Sequence, residues 1–388
     1  MEGLRDRTAI VGIGATEFSK NSGRSELQLA VEAIYDALQD AGLTPKDVDG
    51  LSTFTYDESI EGEVVRNLGA NELTFFGRVG YGGGATGAVV QQASMAITTG
   101  VAEVVVCYRA LNERSGVRFG LPSLQENPTS EQLFWSHHTM HGLQTPAAMM
   151  ALAMKRYMQE TGATSEDFGR IAVAARKHAA TNPKAWYYGR PITLEDHQNS
   201  KMLADPLRLF DSCMESDGAV AFVLTSAERA RDLKRKPVLV RGAAGSMPRH
   251  THALQNYYRD DIVPRVEVEG VARQLYAQAG LGPKDIQVAI LYDHFGPSLL
   301  PALEGYGFCA RGEAKDFIKN GNIELGGDLP INTHGGQMGE AYIIGMNGIN
   351  EAVRQLRGTA VNQVAGVEHV LATAGSGTPT SAIILGAG

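Results

Sequence analysis

The chain has 388 residues, 43% hydrophobic and 20% charged, with a net charge of −8 and three cysteines. This length exceeds one ordinary core and predicts two large units, while the acidic balance argues against nucleic acid as the main partner. No apolar run nears the ~20 residues of a membrane span, the opening MEGLRDRTAIVGIG lacks a signal-peptide core, and Cys107, Cys213 and Cys309 form no CxxC pair, so a cytoplasmic protein without membrane span, disulfide framework or zinc ribbon is expected.

Residues 8–13 (TAIVGI) read as a buried strand. Gly12 and Gly14 follow the first two positions of a dinucleotide fingerprint, but Glu17 stands at the third. A large acidic side chain blocks both helix packing and pyrophosphate approach, so a plain strand-to-loop turn is expected there. Residues 25–41 predict an amphipathic helix, 51–55 a strand, and the glycine-rich GYGGGATG at 80–87 opens a helix over 85–99 that leads to the strand AEVVVCY at 102–108.

From about 111 to 206 the pattern changes to helices, aromatics and histidines, which predicts an inserted cap over the first half. His137, His138 and His141 lie close together there, without the third ligand and the glutamate that catalytic zinc requires, and read as structural or cap-lining; no metal site is expected. Ser216-Asp217-Gly218 introduces the strand AVAFVL at 219–224, residues 229–236 form a solvated charge run, and PVLVRGAAG begins a second half. The acidic pair Asp260-Asp261 and the segment 267–269 read as solvated surface.

The second half echoes the first. AGLTPKDV at 41–48 returns as AGLGPKDI at 279–286, each ending an amphipathic helix and passing through a proline turn into an apolar run. Gly335 and Gly336 then open QMGEAYIIGMNGINEAV, which leads to VEHVLATA at 367–374, as the earlier glycine turn leads to its strand. Two related α/β halves, 1–240 and 241–388, are predicted, with the chemistry at their seam.

The opening AIVGIGATEFSK, the strand SDGAVAFVL and the paired halves resemble the thiolase superfamily over nearly the whole chain, most closely its lipid-transfer-protein branch related to the sterol-carrier-type thiolases. The resemblance implies a layered αβαβα fold with the inserted region in the first half. The active positions depart from that family. Its nucleophilic cysteine precedes Ala-Thr-Gly at a helix start, where Gly84 stands here; the His of its His-Asp-x-Phe block is Tyr292; the histidine that activates the nucleophile is Tyr342; and its final Cys-x-Gly is Thr373-Ala374-Gly375. No acyl-enzyme can form at Gly84. Two histidines have both become tyrosine, which keeps a ring, an oxygen and a titratable proton.

An enolate pocket for an acyl thioester, with proton transfer but no covalent nucleophile, suits retro-aldol cleavage of a β-hydroxyacyl-CoA. At these positions the chain resembles the steroid side-chain-cleaving aldolases of actinobacterial sterol and bile-acid degradation. That resemblance implies cleavage of 17-hydroxy-3-oxo-4-pregnene-20-carboxyl-CoA to androstenedione and propionyl-CoA. It also implies a homodimer through the thiolase-like core and an OB-fold domain of a hydratase-like partner. No cofactor is expected beyond the coenzyme A carried by the substrate, and any structural zinc is expected in the partner.

Tyr292 and Tyr342 are the expected acid/base pair, with the assignment of base and acid open; His294 and Asp293 are second choices for relay or orientation, and Gly84 and Gly375 are expected oxyanion donors. A free tyrosine ionises only near about 10, so a basic role needs a shift or a neighbouring acceptor. Phe134, Trp135, Trp186, Tyr187 and Tyr188 read equally as an apolar substrate wall or as ordinary core, and Arg176, Lys177 and Arg190 are candidate coenzyme A cations. The competing reading is an inactive thiolase-like lipid or acyl-CoA carrier.

Overall fold

Ser25 accepts the Gln28 N–H at 3.1 Å and starts the helix Glu26–Ala41, which Gly42 ends in the left-handed region at φ 75°. The helix Arg265–Ala279 ends in the same way at Gly280, φ 64°, and each helix is followed by a 3₁₀ turn, Pro45–Asp47 or Pro283–Asp285. The echoed octapeptide is thus one local device used twice. The computed structural model describes residues 3–55, 58–80, 82–116, 136–249, 257, 259–375, 377 and 380–388.

The strands are β1 (Thr8–Ala15), β2 (Gly50–Phe54), β3 (Phe75–Val79), β4 (Val104–Asn112), β5 (Met202–Ala204), β6 (Leu207–Arg208), β7 (Asp217–Ser226), β8 (Val238–Ser246), β9 (Val288–Ile290), β10 (His369–Ala374) and β11 (Thr380–Ala387). The main sheet runs β3-β2-β4-β7-β1-β8-β11-β10-β9, and β5 pairs with β6. Read outward from its centre, β1-β7-β4-β2-β3 matches β8-β11-β10-β9. In both series the first two pairings are antiparallel and the next is parallel. An isolated parallel bridge, Ala289↔Ile331, stands where β3 stands in the first half. Within the sheet the halves meet at β1 and β8, where Ala9 pairs with Leu239 and Ile10 with Val238. β8 begins at Val238, so the expected division at 240 and 241 falls just inside that strand.

Burial sorts the helices into layers. Leu29, Ala33, Ile34 and Ala37 pack the helix Glu26–Ala41 on Val11, Val104, Val106 and Val223 of the first half. The helices Thr86–Thr98 and Met346–Arg357 share one core with strands of both halves, among them Val105, Phe222, Val240 and Ile383. Arg265–Ala279 and Leu299–Gly305 cover the second half from outside. This is the expected αβαβα stack. Among the described residues no helix is long and apolar enough to cross a membrane.

Two expectations are corrected. Residues 111–206 do supply helices, Pro146–Thr161, Ser165–Thr181 and Leu194–Asn199. Their apolar faces, however, do not cap the first half. Met154, Tyr157, Phe168 and Ile171 share a core with Val268, Val271, Leu275 and Leu303 of the second half, because Glu26–Ala41 and Glu61–Leu68 already cover the outer face of the first. Gly12 and Gly14 lie within β1 rather than in a turn after it. A Cβ on Gly14 would stand 2.2 Å from the Ala33 carbonyl and 2.4 Å from the Ala37 nitrogen, and one on Gly12 would stand 2.1 Å from the Ala37 carbonyl. The Gly-x-Gly motif brings helix backbone against strand backbone.

Gly14→Ala should therefore destabilise the protein by ~1–3 kcal/mol through overpacking. Thermal unfolding reads this, and an unchanged Tm would refute the close-approach account.

Candidate active site

The 3₁₀ turn Gly82–Ala85 leads directly into the buried helix Thr86–Thr98. The first N–H groups of such a turn have no acceptor inside it; that of Gly82 donates to Thr55 Oγ1 at 2.9 Å. The turn is clamped to the second half of the chain. Thr86 Oγ1 donates to the Ile344 carbonyl at 2.6 Å, Gly87 N–H donates to Ser381 Oγ at 3.0 Å, and Ser381 Oγ donates to the Gly84 carbonyl at 2.5 Å. Ile344 has φ 48°, a left-handed conformation that costs a β-branched residue ~1–3 kcal/mol.

Tyr292 reaches this turn, and Tyr342 reaches the Tyr292 hydroxyl. Tyr292 follows β9, and its N–H donates to Thr373 Oγ1 at 2.9 Å, so the residue standing in place of the second thiolase cysteine anchors the tyrosine backbone. Tyr342 N–H donates to Ser216 Oγ at 3.1 Å, just before β7. The two phenol oxygens stand 3.3 Å apart, at the long end for an O–H···O bond. A Cβ on Gly83 would lie 2.2 Å from the Tyr292 hydroxyl, and one on Gly345 would lie 3.1 Å from its ring. The glycines make room for the phenol. Tyr292 is buried at 6% exposure, and Tyr342 is half-buried. Burial pushes both phenols well above the ordinary tyrosine range, while the hydrogen bond from Tyr342 eases ionisation of Tyr292.

The second-choice residues are placed differently. Asp293 accepts from the N–H groups of Gln337 at 2.8 Å and Met338 at 3.5 Å, and a Cβ on Gly336 would lie 2.0 Å from its carboxylate. It holds the segment carrying Tyr342, and burial raises its pKa to about 6 against the pull of those N–H groups. His294 packs its ring on Tyr292 at 4.9 Å and on Phe295 at 4.8 Å, and burial lowers its pKa to about 3, so it is a neutral imidazole. Gly375 follows β10 at φ 74°, with its carbonyl accepting from Thr380 Oγ1 at 2.9 Å; its neighbours 376, 378 and 379 lie outside the described residues.

The family "Thiolase C-terminal domain-like" matches residues 249–387. A 17-hydroxy-3-oxo-4-pregnene-20-carboxyl-CoA lyase of Mycobacterium tuberculosis is 62% identical over 385 residues, covering 99% of this chain and 100% of the relative. A steroid side-chain-cleaving aldolase of Thermomonospora curvata is 62% identical over 389 residues, covering 100% of both. The chain belongs to the thiolase-like steroid side-chain-cleaving aldolases. The solved Ltp2-ChsH2(DUF35) aldolase superposes with a TM-score of 0.95 at 61% identity, over 99% of this chain and 98% of that one. Human mitochondrial 3-ketoacyl-CoA thiolase, 17% identical with a TM-score of 0.69, shares the fold.

The remaining candidates of this aldolase-family chain fall into place around the pair. Arg176 donates to the Arg190 carbonyl at 2.7 Å and stacks 3.5 Å from the Tyr187 ring centroid, so it serves local structure, and Lys177 pairs with Glu324. Trp186 is tied to the Tyr342 segment, its N–H donating to the Glu340 carbonyl at 2.9 Å, with Lys20 5.4 Å from its ring centroid. Tyr188 is exposed, and Phe134 and Trp135 lie outside the described residues. His138 is buried 5.4 Å from the Tyr257 ring, while His137 and His141 are exposed. Among the described residues no group of three or more His, Cys, Asp or Glu side chains could hold a metal ion.

Sequence reasoning missed Glu113 and Lys20. Glu113 is buried at 6% exposure, and it and Cys213 act electrostatically on both tyrosines. Lys20 donates to the Glu215 carbonyl at 2.7 Å, and burial lowers its pKa. Burial pushes the Cys213 thiol well above its usual range, which removes it as a thiolate nucleophile. The carboxylate at the end of an apolar strand, after VVVCYRALN, was the available signal for Glu113.

Gly83→Ala should displace the Tyr292 phenol without unfolding the chain. The expected result is a turnover loss of ~10-fold or more with near-normal circular dichroism; full turnover would mean that the phenol position is immaterial.

Proposed function

We propose that this chain is a carbon–carbon lyase that cleaves a steroid acyl-CoA by a retro-aldol reaction, with Tyr292 and Tyr342 moving the protons. The carrying observation is the pair of phenols 3.3 Å apart beside the glycine turn. The 62% identical relatives named as a 17-hydroxy-3-oxo-4-pregnene-20-carboxyl-CoA lyase and a steroid side-chain-cleaving aldolase support the substrate class.

The chemistry follows from that substrate. The tyrosine pair takes the proton from the 17-hydroxyl, the oxygen lone pair becomes the ketone, and the C17–C20 bonding electrons move into the thioester as an enolate. A proton delivered to C20 completes the step, giving androstenedione and propionyl-CoA. Backbone N–H groups of Gly84 and Gly375 are the proposed donors to the enolate oxygen, where preorganised dipoles act most strongly. The neutral His294 orients rather than carries charge, and Asp293 holds the Tyr342 segment. No covalent acyl-enzyme is involved.

Two assemblies belong to this proposal. β3 is a sheet edge with Phe76 70% exposed, which suits pairing with a second copy in a homodimer. The Ltp2-ChsH2(DUF35) aldolase supports a partner protein for this chain as well; the OB fold proposed for that partner, and any structural zinc in it, rest on the family resemblance.

Tyr292→Phe and Tyr342→Phe keep the ring and remove the proton carrier. Each should lower release of the steroid ketone by ~10²-fold or more, read by product chromatography on folded protein with the partner present. A variant with wild-type turnover would remove that tyrosine from the mechanism, and binding without cleavage by the wild type would leave a carrier.

A further inference from the structure

Two phenols that burial makes harder to ionise can donate a proton, but they cannot hold a substrate proton near neutral pH without an acceptor behind them. We propose that Glu113 is that acceptor: it takes a proton from the tyrosine pair as the pair takes the hydroxyl proton, and returns it as the pair protonates the enolate carbon. This rests on the retro-aldol reading above. The cycle balances, since the proton leaving oxygen is matched by the proton arriving at carbon and Glu113 ends as it began.

The geometry comes from strand register. β4 and β7 pair antiparallel as far as Asn112↔Asp217; Glu113 follows the first of these residues, in the turn that ends β4, and Ser216 precedes the second. Ser216 Oγ is the atom that receives the Tyr342 N–H at 3.1 Å. Glu113 Oε2 is buried with no hydrogen-bond partner among the described residues, so no donor there already occupies it. The neighbouring carboxylates are already engaged. Asp217 accepts from Ser22, Arg114 and Ser115 N–H groups, each at 3.0 Å. Asp293 is held by Gln337 and Met338, and Glu340 by Asn182 and Asn347. Glu215 lies nearer solvent, facing Arg114.

The groups facing Glu113 set when it works. Burial and Glu215 raise its pKa to about 8, with Asp217 adding to them and Arg109 and Lys20 opposing them; Cys213, Tyr292 and Tyr342 complete its surroundings. Only the carboxylate form accepts, so turnover should rise as pH rises through about 8 and fall away below it.

The experiment is the pH profile of kcat for the wild type, Glu113→Gln and Glu113→Asp, each with the partner protein and the steroid acyl-CoA. Glutamine keeps shape and hydrogen bonding but cannot take a proton. It should lower kcat by ~10²-fold and abolish the limb near 8, with KM little changed, while Asp keeps a shifted limb and recovers part of the rate. A glutamine variant that retains the limb, or a wild type that cleaves with no limb in that range, overturns the proposal. If the glutamine variant fails to fold, the wild-type profile and the Asp variant decide. A wild type that releases no ketone would instead refute the lyase reading itself.

Discussion

The bond from Thr86 Oγ1 to the Ile344 carbonyl joins residues 258 positions apart at 2.6 Å, fully buried. Its net worth is only ~0.5–1.5 kcal/mol, yet the site depends on it. It ties the glycine turn of the first half to the segment that carries Tyr342 in the second, and it helps hold Ile344 at its strained φ of 48°. Ser381 makes a second tie from β11 to both Gly84 and Gly87. Turn and phenol must keep a fixed separation, because Gly83 has no room for one further carbon beside the Tyr292 hydroxyl.

Behind these ties lies a buried polar scaffold. Asn332 accepts from Leu291 N–H at 2.8 Å and donates to the Leu291 carbonyl at 2.9 Å, fixing the residue before Tyr292. Glu340 is bridged to Asn182 and Asn347, and Thr333 to Glu351, which Gln355 also meets. Such networks give a unique arrangement when their members are satisfied. Here they hold the loop between the turn at Gly336–Gly339 and the helix Met346–Arg357. The insert contributes through Asn182 and Trp186, which explains why its packing on the second half matters to the site.

Much of this was legible in the chain. The repeated AGLxPKD ending, the strands rich in Val and Ile and the glycine-started helices all encode local structure, and each forms close to where the residues predict. The exchange of two imidazoles for two phenols was also readable, since matching motifs place Tyr292 and Tyr342 at known points of the fold. Gly12 and Gly14 misled, because the same absence of a side chain serves a ligand turn or a backbone contact, and only the helix lying on β1 tells which. For Asp293 the residues left relay and orientation open, because a carboxylate beside such a position can hold a loop as readily as move a proton, and it holds the N–H groups of Gln337 and Met338.

By itself, then, the sequence determined the α/β repeat, which depends on residue identity and short-range spacing, and its resemblance to the thiolases marked Gly84, Tyr292 and Tyr342 as standing where that family has a cysteine and two histidines. Only the tertiary structure decided which half the insert covers and that Thr373 and Ser216 anchor the two tyrosines. It alone showed that Glu113 is buried within electrostatic reach of them. Those outcomes depend on which surfaces remain uncovered and on strand register across more than a hundred residues, and no local pattern carries that information.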